Sequence, residues 1–313
     1  MANYDENKSK SQISRELFRR WRDARQQWDA EARNAVDFTL GNHYTNDESN
    51  ALQAVGQADF VIDRVYAAVD KLKSLLTSRP AKFSAIARED SDNKLANIWK
   101  TILEYVWDIS NGDSTFKQVV HDYAVTGLGY MYVYVDPEAD YGRGEVKYTH
   151  VDPFRVYVDP ASRDRFFNDA SGMILSTFLT RQQVLDLYPQ MEEFIDDVEV
   201  GNNSLYGEDY PTSNLKNSNN VLTPQILDRF YKVKVPFYRL FSTIDGSEKI
   251  IDPDAYSVII EDEQTVEAIE RGAIQIEEIM QTRIAQCSSI GDILLYERIL
   301  NTDIYAIVPF ANI

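Results

Sequence analysis

Residues 126–160 read TGLGYMYVYVDPEADYGRGEVKYTHVDPFRVYVDP, and the fold class turns on this stretch. A helical pattern stops at Gly127. Tyr130, Tyr132 and Tyr134 then alternate with Met131, Val133 and Val135, the period-two mark of a strand. Asp136-Pro137 opens a polar connection that carries Gly142 and Gly144. Glu145 to Val151 alternates again. Asp152-Pro153 turns the chain, and Phe154 to Val158 makes a third short apolar run that Asp159-Pro160 ends. Proline has no N–H to give a ladder, so each Asp-Pro reads as a strand terminus. The expectation is a three-stranded β-meander reached from helices.

Upstream, Ser11 to Leu40 reads as one long helix with Ser14 as N-cap and Gly41 as stop. Leu17, Trp21, Ala24, Trp28, Ala32 and Ala35 form its apolar stripe. Its other face carries Arg19, Arg20, Arg22, Arg25 and Arg33, interrupted by Asp23, Asp29 and Glu31, and reads as solvated. Thr45 to Gly56 is a polar connection. Asp59 caps a helix striped by Ile62, Val65, Val69, Leu72 and Leu76, which Arg79-Pro80 terminates. Ala81 to Ala87 fits an edge strand. A third helix starts at Asp92 or Asn93 and turns Leu95, Ile98, Ile102, Tyr105 and Ile109 inward, and Asn111-Gly112 ends it. Asp113 caps a fourth, which delivers the chain to Gly127.

Downstream, Met173 to Leu179 is a strand, and Thr180 caps a helix that Pro189 interrupts before Met191, Phe194, Ile195 and Val198. Gly201 to Asn220 is rich in Asn, Ser and Gly without period and reads as a flexible loop. Ile226 to Val235 and Phe237 to Thr243 form a hairpin pair, with Asp245-Gly246 as the next turn. Tyr256 to Ile260 is a strand and Glu263 to Arg271 a short helix. Ile274 to Ser289, Ile293 to Leu300 and Tyr305 to Phe310 are strands. Helices followed by sheet, helix and sheet again make an α+β fold.

The chain has 313 residues and a net charge of −18. Residues 1–156 contribute −4 and residues 157–313 contribute −14. Tight nucleic-acid binding rests on phosphate neutralisation, so this balance argues against it. Solubility accounts for an acidic surface. A surface that must lie beside DNA without adhering accounts for it too. The N-terminus, MANYDENKSKSQ, has no secretory apolar region, and no apolar run approaches the roughly 20 residues of a membrane helix. Cys287 is alone, which excludes an internal disulfide.

No catalytic constellation emerges. His43, His121 and His150 lie far apart, without helical ligand spacing. Asp136, Glu138 and Asp140 mimic the start of a calcium loop, but Tyr141 stands where glycine is required and Lys147 where a glutamate is. Gly127-Leu128-Gly129 follows a helix and precedes a strand, the reverse of a dinucleotide fingerprint. It reads as a helix stop and a tight approach to the strand. Phosphate-loop and Gly-x-Ser-x-Gly patterns are missing, and Cys287 within a strand reads as an inert thiol. No enzyme activity, cofactor or metal is expected.

Taken in order, a set of motifs resembles the portal proteins of tailed bacteriophages, in particular the short-tailed type. These are Ala35-Val36-Asp37-Phe38 with Gly41, Arg79-Pro80, Thr126-Gly127-x-Gly129, Val151-Asp152-Pro153-Phe154, Val158-Asp159-Pro160, and Asn168-Asp169-Ala170. Leu179-Thr180 reaching Tyr188-Pro189, and Ile293-Leu294-Leu295-Tyr296-Glu297-Arg298 leading to Val308-Pro309-Phe310, complete it. The resemblance implies a structural ring, usually a dodecamer, at one capsid vertex of the virion. Double-stranded DNA passes through it without tight binding. The implied partners are the major capsid and scaffolding proteins, the terminase large subunit and a tail adaptor protein, with no membrane. The subunit would be made in the host bacterial cytoplasm.

The resemblance also implies one wing-like domain, 1–313. It divides into a helical region over residues 1–126, the meander 127–180, a helix 181–200, the loop 201–222 and a β-rich region over residues 223–313. The stem, clip and crown of the family fall outside it. Arg79, Pro80, Gly127, Gly129, Asp152, Pro153, Asp159, Pro160, Asp169, Tyr188 and Pro189 are expected to hold the fold rather than touch a partner. Two other readings remain: a connector or scaffold-binding adaptor of the same virion, and an acidic metal-dependent hydrolase.

Overall fold

The computed structural model describes residues 9–79, 81–87, 93–194, 224–244 and 246–310. Pro80, Asp92, Ile195, Val198, Asp245 and the expected loop 201–222 lie outside the described residues. The helices are α1 (Lys10–Ala24), α2 (Gln26–Thr39), α3 (Asn46–Ala54), α4 (Arg64–Leu76), α5 (Asn93–Ile109) and α6 (Gly112–Thr126). After strand β1 (Tyr130–Asp136) come a single turn, α7 (Ala139–Gly142), then β2 (Glu145–Val151), β3 (Val156–Val158), β4 (Gly172–Phe178) and α8 (Arg181–Leu187). The last third holds β5 (Gln225–Ser242), β6 (Glu248–Ile251), α9 (Pro253–Ile259), α10 (Glu263–Glu270), β7 (Ile274–Ile290), β8 (Ile293–Leu300) and β9 (Ile307–Pro309). The fold is α+β, with antiparallel pairing in both sheets.

The larger sheet runs β3-β4-β5-β7-β8, with β6 also on β5, and the smaller runs β2-β1-β9. Alternation sends successive side chains of the large sheet to opposite faces. One face presents Tyr157, Ile174 and Leu227, and α1 covers it with Phe18 and Trp21. The other presents Val156, Met173, Leu175, Phe230 and Ile284, and meets Tyr130, Val151 and Ile307 of the small sheet. Further along that face, Val184 and Met191 cover Ile226 and Ile290. The half of the large sheet beside β4 is therefore buried on both sides, while the far ends of β5 and β7 are largely open. Gly172 marks the closest approach: a Cβ there would lie 2.8 Å from the Phe230 carbonyl oxygen and 3.3 Å from the Trp21 ring.

The β1–β2 hairpin forms as expected, with Tyr130 opposite Val151 and Asp136 opposite Glu145. The third strand departs from the meander. Asp152 accepts a hydrogen bond from the Phe154 N–H at 2.9 Å and caps a 3-10 turn, Pro153–Arg155. That turn sends β3 into the large sheet, where it pairs with β4. The place beside β1 is taken by β9, with Tyr132 opposite Ile307.

Other expectations are corrected by local chemistry. The long N-terminal helix breaks at Arg25, whose φ and ψ are −105° and 8°. Its N-cap is Ser9, reciprocally bonded with Gln12. Ser14 instead faces the core and donates to the Lys10 carbonyl. Thr45 and Glu48 form a capping box, so the supposed connection is α3. Asp63 rather than Asp59 caps α4, and Asn111, left-handed at φ 50°, is the N-cap of α6 in place of Asp113. Residues 81–87 pair with none of the described strands.

The expected hairpin at 226–243 is one strand of 18 residues. Pro236 falls between Tyr231, where pairing with β4 ends, and Tyr238, where pairing with β6 begins. Among the described strands β7 alone borders it, and a missing N–H is tolerated there. The expected strand at Tyr256–Ile260 is α9: Asp252 accepts from the Ala255 N–H at 2.7 Å and Pro253 sits in the first turn.

The contacts of Arg25 explain the break in the N-terminal helix. Its guanidinium donates to the carbonyls of Pro153 (3.2 Å), Phe154 (2.6 Å) and Val156, and pairs with Asp29 at 3.0 Å. It also lies 3.8 Å from the Tyr157 ring centre. Burial pushes the Asp29 carboxyl above its ordinary range, and Arg25 pulls it back only in part. Replacing Arg25 by Met is expected to lower unfolding free energy by about 3 kcal/mol, because Asp29 and three carbonyls lose their partner. Lys should not rescue it, since one ammonium cannot reproduce the fork. Denaturant unfolding checks this; a loss below about 0.5 kcal/mol, an ordinary surface effect, would contradict it.

Candidate assembly surface

The expected motif residues gather in three places. Gly127 ends α6 at φ 78°, with its N–H on the Tyr123 carbonyl at 3.0 Å. Gly129 allows the chain to pass α6: a Cβ there would lie 2.5 Å from the Val119 carbonyl oxygen. The Trp28 indole donates to the Thr126 carbonyl at 3.0 Å and its ring meets Phe154 at 5.4 Å. Gly127, Asp152 and buried Pro153 thus surround the Arg25–Trp28 junction. Sequence reading placed Arg25 on a solvated face and missed it. The available signal was a cation two turns from Arg33 on the aromatic side of the helix, beside Trp21 and Trp28.

A second group is the loop 159–171. Asp159 accepts from the N–H of Ala161 and from the hydroxyl and N–H of Ser171. Asp169 accepts from the Ser162 hydroxyl at 2.5 Å and from the N–H groups of Arg163 (2.6 Å) and Asp164 (3.2 Å). Pro160 lines a shallow cleft with Trp21, Arg25 and Trp28. The third group is Tyr188, stacked on Tyr296, with Pro189 opening a 3-10 turn. Arg79 stands apart and exposed after α4.

The expected calcium-like loop closes on itself. Lys147 donates to Asp136 at 2.8 Å, and Asp140 and Tyr141 are left-handed. His150 bonds Asp122. Asp228 is a half-buried carboxyl beside Ser288 and Gln286, with Arg298 and Arg155 nearby, and desolvation raises its pKa. Among the described residues no three His, Cys, Asp or Glu side chains group as a metal site. No helix among them is long and apolar enough to cross a membrane.

The least satisfied surface lies on α4 and α5. Their stripes form at the expected positions, but no residue of either helix is buried. Leu95, Ile98, Ile102 and Tyr105, expected to point inward, are 54%, 56%, 41% and 51% exposed. The C-terminal end of α5 is anchored, where Trp107 packs on Phe83, Phe116 and Tyr148. A stripe of this kind needs a second surface to cover it. Among the described residues, α4 and α5 are helices with exposed large apolar side chains and no buried residue.

A family model for phage P22-like portal proteins matches residues 15–312, so the chain belongs to the P22-like portal protein family. A search of curated proteins finds no match. The family is structural, and its match spans the Arg25 junction, both sheets and the exposed helices.

The 159–171 loop has a pH signature. The Ser162 hydroxyl, then the two backbone N–H groups, hold the Asp169 carboxyl at about 2, against an ordinary 3.8. A depressed carboxyl stabilises the fold above its unfolded value, and that contribution is lost as pH falls through about 2. Asp169→Asn is therefore expected to unfold more easily than the parent at pH 7, with the gap narrowing below about pH 4. Denaturant midpoints measured across this acidic range and at neutrality check it; a gap that stays constant would contradict it.

Proposed function

We propose that this chain is the subunit of a phage portal, a ring at one capsid vertex through which double-stranded DNA enters and leaves. Membership of the P22-like portal family carries the proposal, and the uncovered faces of α4 and α5 support it. Residues 1–313 form its wing-like domain. Copies associate side by side, twelve in the usual family arrangement, and the ring sits in the virion against the major capsid and scaffolding proteins. The terminase large subunit docks on it during packaging, and a tail adaptor afterwards. Arg79, Pro80, Gly127, Gly129, Asp152, Pro153, Asp159, Pro160, Asp169, Tyr188 and Pro189 serve the fold, and no chemical step is assigned to them.

The charge suits a DNA passage. A net −18 repels phosphate, so the duplex gains no counterion-release energy by adhering and can slide. The purified chain is expected to give closed rings in electron-microscopy class averages and a single high-mass species in native mass spectrometry. A monodisperse monomer at micromolar concentration would overturn the proposal.

A further inference from the structure

We infer that the α4–α5 face of one copy seats the acidic distal end of the β5–β7 ribbon of the next copy. The inference rests on the ring reading above and names the two surfaces that meet. On α5, Leu95, Ile98, Trp99, Ile102 and Leu103 repeat at the spacing of one helix face, and each is 40–56% exposed. Together they leave roughly 400 Å² of apolar surface open, the size of the largest patch on a typical monomer, which is often functional. On α4, which rests on α2 and α6, Leu72, Leu75 and Leu76 are exposed as well.

Charge selects the occupant. Within 64–104 the described residues carry seven Lys and Arg against two Asp and Glu, with Lys73 paired to Asp70 and Lys100 near Glu104. Residues 248–278, which span β6, α9, α10 and the start of β7, carry ten carboxylates against two cations. Arg239 reaches in from β5 and pairs with Glu248 (2.9 Å) and Glu277 (3.2 Å), and Arg271 pairs with Glu267, so the carboxylates still outnumber the cations. On the face that α9 covers, Val258 and Met280 are 67% and 55% exposed. One segment is apolar with a surplus of cations, the other has exposed apolar residues with a surplus of carboxylates.

The two surfaces stand on different supports. α4 and α5 rest on α2, α6 and β2, whereas α9 and α10 rest on β5 and β7. A two-fold contact of the ribbon end would set its ten carboxylates against those of the second copy, which like charge opposes. Joining unlike surfaces is a heterologous contact, and such a contact repeated about an axis closes a ring.

Reversed charges test the pairing. One variant carries Lys71→Glu, Lys94→Glu and Lys100→Glu on the helices. A second carries Asp254→Lys, Glu261→Lys, Glu267→Lys, Glu270→Lys and Glu278→Lys on the ribbon end, which leaves seven cations against five carboxylates there. Native mass spectrometry at equal concentration is expected to show at least a tenfold loss of ring for each variant alone. Mixed one to one, the two should recover rings in which they alternate. Recovery also shows that both chains fold, since a misfolded chain would not be rescued. Rings from either variant alone, or a mixture that stays monomeric while the parent forms rings, would overturn this pairing and leave the portal reading standing. A parent that forms no ring would overturn the portal reading itself.

Discussion

One guanidinium ties the molecule together. Arg25 sits where the N-terminal helix breaks and gives its donors to three carbonyls, those of Pro153, Phe154 and Val156. Those carbonyls belong to the turn that carries the chain from the small sheet to the large one. Helices, hairpin and large sheet therefore share a single anchor. The cost is visible in Asp29, whose carboxyl is desolvated to keep the guanidinium company. Trp28 adds a second tie by bonding the last carbonyl before Gly127, so α6 also ends at this junction. Gly127, Gly129 and Asp152 have local reasons here: a left-handed stop, a close pass over Val119 and a capped turn.

From that anchor the β half is packed and the outer helices are not. α1 and the small sheet bury both faces of the large sheet beside β4, so the core is self-sufficient. α4 and α5 are satisfied as helices but not as surfaces. Their backbones bond internally, while their apolar stripes meet solvent. What the single chain leaves open is on the outside.

Much of this was legible in the residues. Alternation at Tyr130–Val135, the three Asp-Pro strand ends and the stripe of α5 placed their elements within a residue or two. What failed was whatever depended on distant partners. Arg25 looked like one more surface cation because its carbonyl acceptors lie more than a hundred residues away. Pro236 looked like a break because the gap between β4 and β6 is a fact of topology. Tyr256 to Ile260 looked like a strand because its apolar run is short, whereas the Asp252 cap and Pro253 start α9 there. Periodicity found the apolar face of α5 but could not say which molecule covers it.

Neighbouring copies finish a surface that the single chain leaves open. Hydrogen–deuterium exchange, read peptide by peptide on free and assembled chain, tests this most directly. The amides of α4 and α5 are predicted to exchange quickly in the free chain and at least tenfold more slowly in the assembly, with β5 and β7 near their anchored ends unchanged. Equal protection of α4 and α5 in both states would contradict it.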